Sequence, residues 1–303
     1  MRWKTWRNNF TLNDAANVTE LFMPACEPPD VARRIVCIAP SNTEILYALG
    51  AADRIVGVST FCDFPPESAQ HPRCGGFFNP NIERILALRP DLVLAQSFLQ
   101  EDAVKALVHA EVRVMAFAAT SVREILDDVI LLGRMVSREE QALAIVRQMT
   151  EELEKVRQRA GDLSLKLGRK PRVHLEEWGP KEPYYLAGDW VAELLSLAGG
   201  ENCFSDRPLR CPSPQRQISD TDIAQRDPDL IITAWCGCNE KVDLSRVARR
   251  PALQDSRAVR QGWLRAVDNR FLMRPGPRIT EGARRLQAHI EEWSQAQMGH
   301  PSQ

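Results

Sequence analysis

Long apolar runs are missing from this 303-residue sequence: no segment approaches the roughly 20 apolar residues that span a bilayer. A dominant charge is missing too, with 39 Lys plus Arg against 40 Asp plus Glu and a net charge of −1. That balance argues against a nucleic-acid or anionic-membrane partner, which calls for a basic footprint. Cysteine is sparse at eight residues, whereas a disulfide scaffold is short and Cys-dense. Arg2, Lys4 and Arg7 stand near the start, but the run of about 7–15 apolar residues that an export signal needs does not follow them. Arg33-Arg34 before Ile35-Val36-Cys37-Ile38 reads as the lead into a buried strand, not as a twin-arginine signal. A cytoplasmic location with reduced thiols is expected, or a periplasmic one if the start codon is misassigned. Catalytic signatures are absent as well: no G-x-S-x-G, P-loop, G-x-G-x-x-G or H-E-x-x-H occurs. Glu176 and Glu177 are adjacent on an extended segment, so they point to opposite faces and do not share a proton. The chain is not expected to be an enzyme.

What is present is 44% hydrophobic sequence arranged as short apolar runs alternating with longer amphipathic segments, the pattern of an α/β chain. Strands are expected at 35–39, 55–59, 92–96 and 113–117, and helices at 44–49, 81–88, 101–110 and 121–135. Ser137 then caps a charged helix from 138 to about 167, some 40 Å long at about 1.5 Å per residue. After Pro171 the scheme restarts, with strands at 172–175, 230–233 and 264–267 and helices at 191–197, 218–225 and 279–293. Arg34 precedes Pro90-Asp91-Leu92 by 56 positions, and Arg172 precedes Pro228-Asp229-Leu230 by the same 56. The fold expected is two Rossmann-like α/β lobes with mainly parallel sheets, joined by one long rigid helix. Its parts are an N-terminal extension (1–32), a first lobe (33–136), the connecting helix (137–168), a second lobe (169–295) and a tail (296–303).

Ligands of open parallel sheets sit beyond the carboxyl ends of the strands, so two facing lobes make a cleft lined by strand-to-helix loops. The first lobe offers Pro40, Ser41, Asn42, Phe61, Cys62, Asp63, Phe64, Gly76, Phe77, Phe78 and Gln96. From the second come Glu177, Trp178, Tyr185, Gly188, Trp190, Trp235, Cys236, Gly237, Arg274 and Arg278. Aromatic residues are only 7% of the chain yet crowd into these loops, which points to a broad, flat, partly apolar ligand. Arg274 and Arg278 are expected to hydrogen-bond acidic or amide side groups of that ligand. Cys62, Cys74, Cys236 and Cys238 come from facing lobes. They read either as small apolar fillers or as a thiolate set for zinc or an iron–sulfur cluster. His71 and His174 are read as structural histidines, or as groups approaching such a metal.

The first half contains Pro40-Ser41-Asn42-Thr43-Glu44-Ile45-Leu46, Cys62-Asp63-Phe64-Pro65-Pro66-Glu67, Gly75-Gly76-Phe77 and Asn79-Pro80-Asn81-Ile82-Glu83. The second contains Ala187-Gly188-Asp189-Trp190-Val191, Leu197-Ala198-Gly199-Gly200 and Arg274-Pro275-Gly276-Pro277-Arg278. Together these motifs resemble the vitamin B12-type substrate-binding proteins with a helical backbone, over about residues 33–292. The resemblance implies non-catalytic binding of cobalamin or another corrinoid between the lobes, with delivery to an ABC importer. Exported members dock on the permease through one acidic residue per lobe. Glu83 matches the first, while Thr221, flanked by Asp220 and Asp222, stands where the second is expected. With no export signal and an altered second acid, an ABC permease is not expected as the partner. The alternative is a cytoplasmic protein holding zinc or an iron–sulfur cluster on its cleft cysteines.

Overall fold

A computed structural model describes residues 32–96, 98–179, 181, 184–207, 216–238 and 241–299. The extension at 1–31, Cys26, Ser97, the Phe98 side chain, Cys211 and residues 300–303 lie outside the described residues.

Buried β-branched runs form the first sheet: β1 (Ile35–Cys37), β2 (Ile55–Val58), β3 (Leu92–Gln96) and β4 (Val114–Phe117). They pair entirely in parallel in the order β2-β1-β3-β4. Around them lie α1 (Pro40–Ala48), α2 (Ile82–Ala87), α3 (Glu101–His109) and α4 (Val122–Met135). Helix α1 begins four residues earlier than its sequence suggests, because Pro40 supplies a helical φ at the first turn. Asn81 and Ser121 cap α2 and α4 through their side-chain oxygens.

The connecting helix α5 (Glu139–Leu167) is continuous over 29 residues. Its N-cap position is Arg138 without a side-chain cap, so the cap expected from Ser137, which adopts φ 50°, does not form. Ala142 packs into the core of the first sheet, whereas Met149, Leu153 and Val156 pack into that of the second. Gly133 permits α4 to lie against α5, since a Cβ there would meet the Ala142 methyl. One rigid rod thus shares both cores, and bending it would break its own hydrogen-bond ladder.

The second lobe contains β5 (Arg172–Trp178), β6 (Tyr184–Leu186), α6 (Asp189–Leu197), β7 (Glu201–Asn202), β8 (Gln217–Ile218) and α7 (Asp220–Arg226). It continues with β9 (Leu230–Trp235), α8 (Ser245–Ala248), α9 (Arg257–Arg260), β10 (Leu264–Ala266) and α10 (Ile279–Gly299). Its six-stranded sheet runs β10-β9-β5-β6-β8, with β7 also on β5. Strands β5, β7, β9 and β10 are mutually parallel, while β6 pairs antiparallel with β5 and β8. The fold is two α/β lobes on a helical backbone.

The repeated spacing of 56 has a physical origin. In each lobe the Asp after the Pro turns back on the start of the first strand. Asp91 accepts from the Arg34 amide at 3.0 Å, and Asp229 accepts from the Arg172 amide at 2.9 Å. The Asp229 carboxylate, fully buried, also receives Arg169 and Arg257, each at 2.6 Å. Burial alone would raise its pKa, but these donors outweigh it and hold the group below the usual range. Asp229→Asn should cost about 1–3 kcal/mol in urea denaturation at pH 7, the loss of an anion from a bonded buried position. A depressed carboxylate stabilises above its unfolded pKa of about 3.9, and that stability disappears as the pH falls through the folded value. The gap between wild type and variant should therefore close at acid pH.

Candidate functional site

Loops beyond the carboxyl ends of the two sheets meet, and two groups of side chains join them. One is aromatic. Phe77 and Phe78 of the first lobe meet edge-on at 5.0 Å between ring centres. The Phe78 ring lies 6.0 Å from that of Trp178 at the end of β5, and Trp178 lies 5.9 Å from Tyr185 on β6. Gln100 holds the Phe77 carbonyl at 2.8 Å and the Ile38 carbonyl at 2.9 Å, fixing the loop to the first sheet. Trp178 adopts φ 75°, a left-handed conformation costing a non-glycine residue about 1–3 kcal/mol. Its carbonyl accepts from the Cys236 amide at 2.9 Å, which anchors the bend to the neighbouring loop. Among the described residues, Phe61, Phe64 and Phe78 are the most exposed aromatic rings, at 55%, 40% and 59%.

The other group is ionic. Glu44 of α1, 4% exposed, accepts from Arg274 at 2.9 Å and from Arg278 at 2.8 and 2.6 Å. Asp63 accepts from Arg274 at 2.6 Å and from Arg270 at 3.2 Å. Arg278 stacks on Phe64 at 4.1 Å. Burial alone would raise Asp63, but Arg274 and Arg270 hold its carboxyl below the ordinary value. Sequence reading missed Glu44 as a site residue, since a pair 230 positions apart leaves no local signal.

Several expected site residues are committed elsewhere. Pro40, Ser41 and Asn42 are buried in α1; Ser41 donates to Gln96 at 3.2 Å and Asn42 to the Ala95 carbonyl at 3.0 Å. Strand β9 runs two residues past 233, so Trp235 alternates into the core, 1% exposed, and its indole donates to Glu176 at 2.7 Å. Trp190 packs on the core and donates to the Leu272 carbonyl at 2.7 Å. Glu177 is buried, bonded to Arg216 at 3.1 Å and to the Gly188 amide at 3.2 Å. Burial pushes its carboxyl up to about 7, with Arg216 opposing. As expected of adjacent strand residues, Glu176 faces the other way, toward His174, Trp235 and Arg250. Among the ligand-binding candidates, Phe61, Asp63, Phe64, Gly76, Phe77, Phe78, Gln96, Trp178, Tyr185, Trp190, Cys236, Gly237, Arg274 and Arg278 keep accessible surface.

The thiols do not assemble. Cys62 and Cys74 are each 1% exposed and belong to separate core clusters. Cys62 bonds Thr43 at 3.1 Å, and burial pushes its thiol up to about 11. Cys236 is exposed yet recessed enough that desolvation, with Glu177 and Cys238 adding to it, pushes its thiol up to about 11. Among the described residues, no group of three His, Cys, Asp or Glu stands close enough to hold a metal ion. The fillers reading of Cys62 and Cys74 replaces the thiolate set. His174 is fully buried beside Glu176 and Phe204, away from the cleft, and His71 bonds the Tyr47 hydroxyl at 2.8 Å.

Residues 35–270 match the model of a periplasmic binding protein family. The chain belongs to that family. An uncharacterized ABC transporter substrate-binding lipoprotein, YvrC of Bacillus subtilis, is 29% identical over 286 residues, covering 92% of this chain and 85% of that one. A vitamin B12-binding protein of Yersinia pestis is 27% identical over 249 residues, 81% of this chain and 85% of that one. The periplasmic heme-binding protein RhuT from Roseiflexus shares the fold, with a TM-score of 0.73 at 22% identity over 87% of this chain and 99% of that one. The aromatic and ionic groups both join the first lobe to the second. Glu83 is exposed at the first turn of α2. Thr221 is exposed at the matching place on α7, but Asp222 is engaged in the capping box with Ser219, and Asp220 lies 3.4 Å from Arg250. No helix of the described residues is long and apolar enough to cross a membrane.

Proposed function

We propose that this protein binds cobalamin or a closely related corrinoid in the cleft, without turning it over. The carrying observation is the aromatic series Phe77–Phe78–Trp178–Tyr185, which passes from one lobe to the other and offers ring faces and edges to a large flat ligand. The likeness to a vitamin B12-binding protein of Yersinia pestis supports the same ligand class. Calorimetric titration with cyanocobalamin and with dicyanocobinamide should give one site per chain, and binding should quench tryptophan fluorescence through Trp178. Heat from hemin or a ferric siderophore, with none from either corrinoid, would overturn the proposal. So would chemical change of the added cobalamin.

Against the expectation that a permease is not the partner, likeness to an ABC transporter substrate-binding lipoprotein supports delivery to an ABC permease, with Glu83 and the Thr221 position as the candidate docking points. A cytoplasmic location is the alternative to that role, since an importer's binding protein meets its permease outside the cytoplasm. Fractionation of cells expressing the gene tests it, and recovery in the membrane or periplasmic fraction would refute it.

A further inference from the structure

The arginines of the cleft were expected to meet acidic or amide groups of a ligand, yet each is already matched to a carboxylate. Arg270, Arg274 and Arg278 face Asp268, Asp63 and Glu44, three charges against three. Arg278 uses Nε and Nη2 bidentately on Glu44. Arg274 divides Nη1 between Glu44 and Asp63 and gives Nη2 to the Phe61 carbonyl at 3.1 Å. Arg270 is held by Asp268, whose side chain is 1% exposed. Arg274 and Arg278 keep only 13% and 14% of their side-chain surface. Arg216 gives Nη1 to Glu177 and to the Leu186 carbonyl, each at 3.1 Å. Asp189, beside Glu177, adds one negative charge.

From this balance we infer that the ionic group is a charge filter, selecting flat chelates whose peripheral side groups are uncharged and rejecting those that carry carboxylates. The inference rests on the proposed function and names the substrate class of the same cleft. An incoming carboxylate finds no uncommitted guanidinium in this group. To gain one it must displace Glu44 or Asp63, leaving two anions close together in a partly buried place, where like charges disfavour ionisation. An amide can instead share the remaining edges of Arg274 and Asp63 as acceptor and donor without disturbing the pairs. Rejection is thereby built from an unfavourable contact and needs no extra attraction for the right ligand.

The test compares ligands that share a ring and differ in the charge of its side groups: dicyanocobyrinic heptaamide against dicyanocobyrinic acid, and hemin dimethyl ester against hemin, by calorimetry at pH 7.5 and low salt. The wild-type protein should bind each uncharged member at least 20-fold more tightly than its carboxylate counterpart. Asp63→Asn, a near-isosteric change at a side chain 45% exposed, should narrow the ratio at least threefold by uncoupling Arg270 and Arg274 from one anion. Equal or tighter binding of the carboxylate members by the wild type would overturn the filter, as would an unchanged ratio in Asp63→Asn. Binding of the heme pair but not the corrinoids would refute the corrinoid assignment while the ester-to-acid ratio still decides the filter. Binding of none of the four would refute both.

Discussion

Replacing Glu176 by alanine is expected to destabilise the protein by about 3–5 kcal/mol, the cost of leaving a buried charge without its partner. The carboxylate is fully buried and accepts from Arg250 at 2.7 and 2.8 Å and from the Trp235 indole at 2.7 Å, with His174 at 3.4 Å. Burial alone would raise its pKa, but Arg250 and His174 outweigh that and keep it below the ordinary carboxylate value. Arg250 is itself 5% exposed, lies over Tyr184 at 3.7 Å and, among the described residues, has only Asp220, at 3.4 Å, as a second anion. Without Glu176 the guanidinium stays in the core, and the indole N–H of Trp235 loses its acceptor. Denaturant titration should show a lower midpoint at an unchanged slope. The paired replacement Glu176→Met with Arg250→Met removes both charges, and it should recover at least half of the loss. A double variant no better than Glu176→Ala would mean that the ion pair is not the origin of the effect.

Much of this architecture could be read from residue order. Strand β3 begins and ends where its apolar run does, and the long helix follows from a charged stretch with no Pro and no Gly before Gly161. The repeat of Pro-Asp before a strand predicted two similar lobes, and Asp91 and Asp229 perform the same bond in each. Strand β6 escaped notice because Tyr184–Leu186 is three residues long and pairs antiparallel inside a scheme of parallel crossovers. The site was legible in kind more than in detail. Loops rich in aromatics reach the cleft, but extending β9 to Trp235 sends that ring to the opposite destination from its neighbour in space, Trp178. A period of two decides a side chain's face, so a two-residue error in a strand's end changes which residues remain in the loop at all. Arginines 274 and 278 were found, but not their partner Glu44, because ion pairs between lobes are fixed by topology and have no sequence spacing of their own.

The aromatic crossing gives the other large effect. Phe78→Ala and Trp178→Ala should each weaken cyanocobalamin binding by about 30-fold, the roughly 2 kcal/mol typical of a central aromatic anchor. Phe78 is 59% exposed, so truncating it should leave the unfolding midpoint almost unchanged, within about 0.5 kcal/mol. Its effect on binding would then be separable from folding. Trp178 is harder to read alone because it occupies the bend at φ 75°, which any replacement other than glycine must also adopt. Trp178→Phe keeps a ring there and should restore much of the affinity lost in Trp178→Ala. In the double variant the losses should fall short of additive, since the rings lie 6.0 Å apart and address one ligand face together. Unchanged binding in Phe78→Ala, in a protein that still folds and still binds cobalamin, would move the ligand away from this crossing. It would then have to lie along the ionic group instead, where Phe61 and Phe64 supply the exposed rings. Phe61→Ala would be the variant to lose affinity in that case, and the comparison of the two truncations decides which half of the cleft holds the ring.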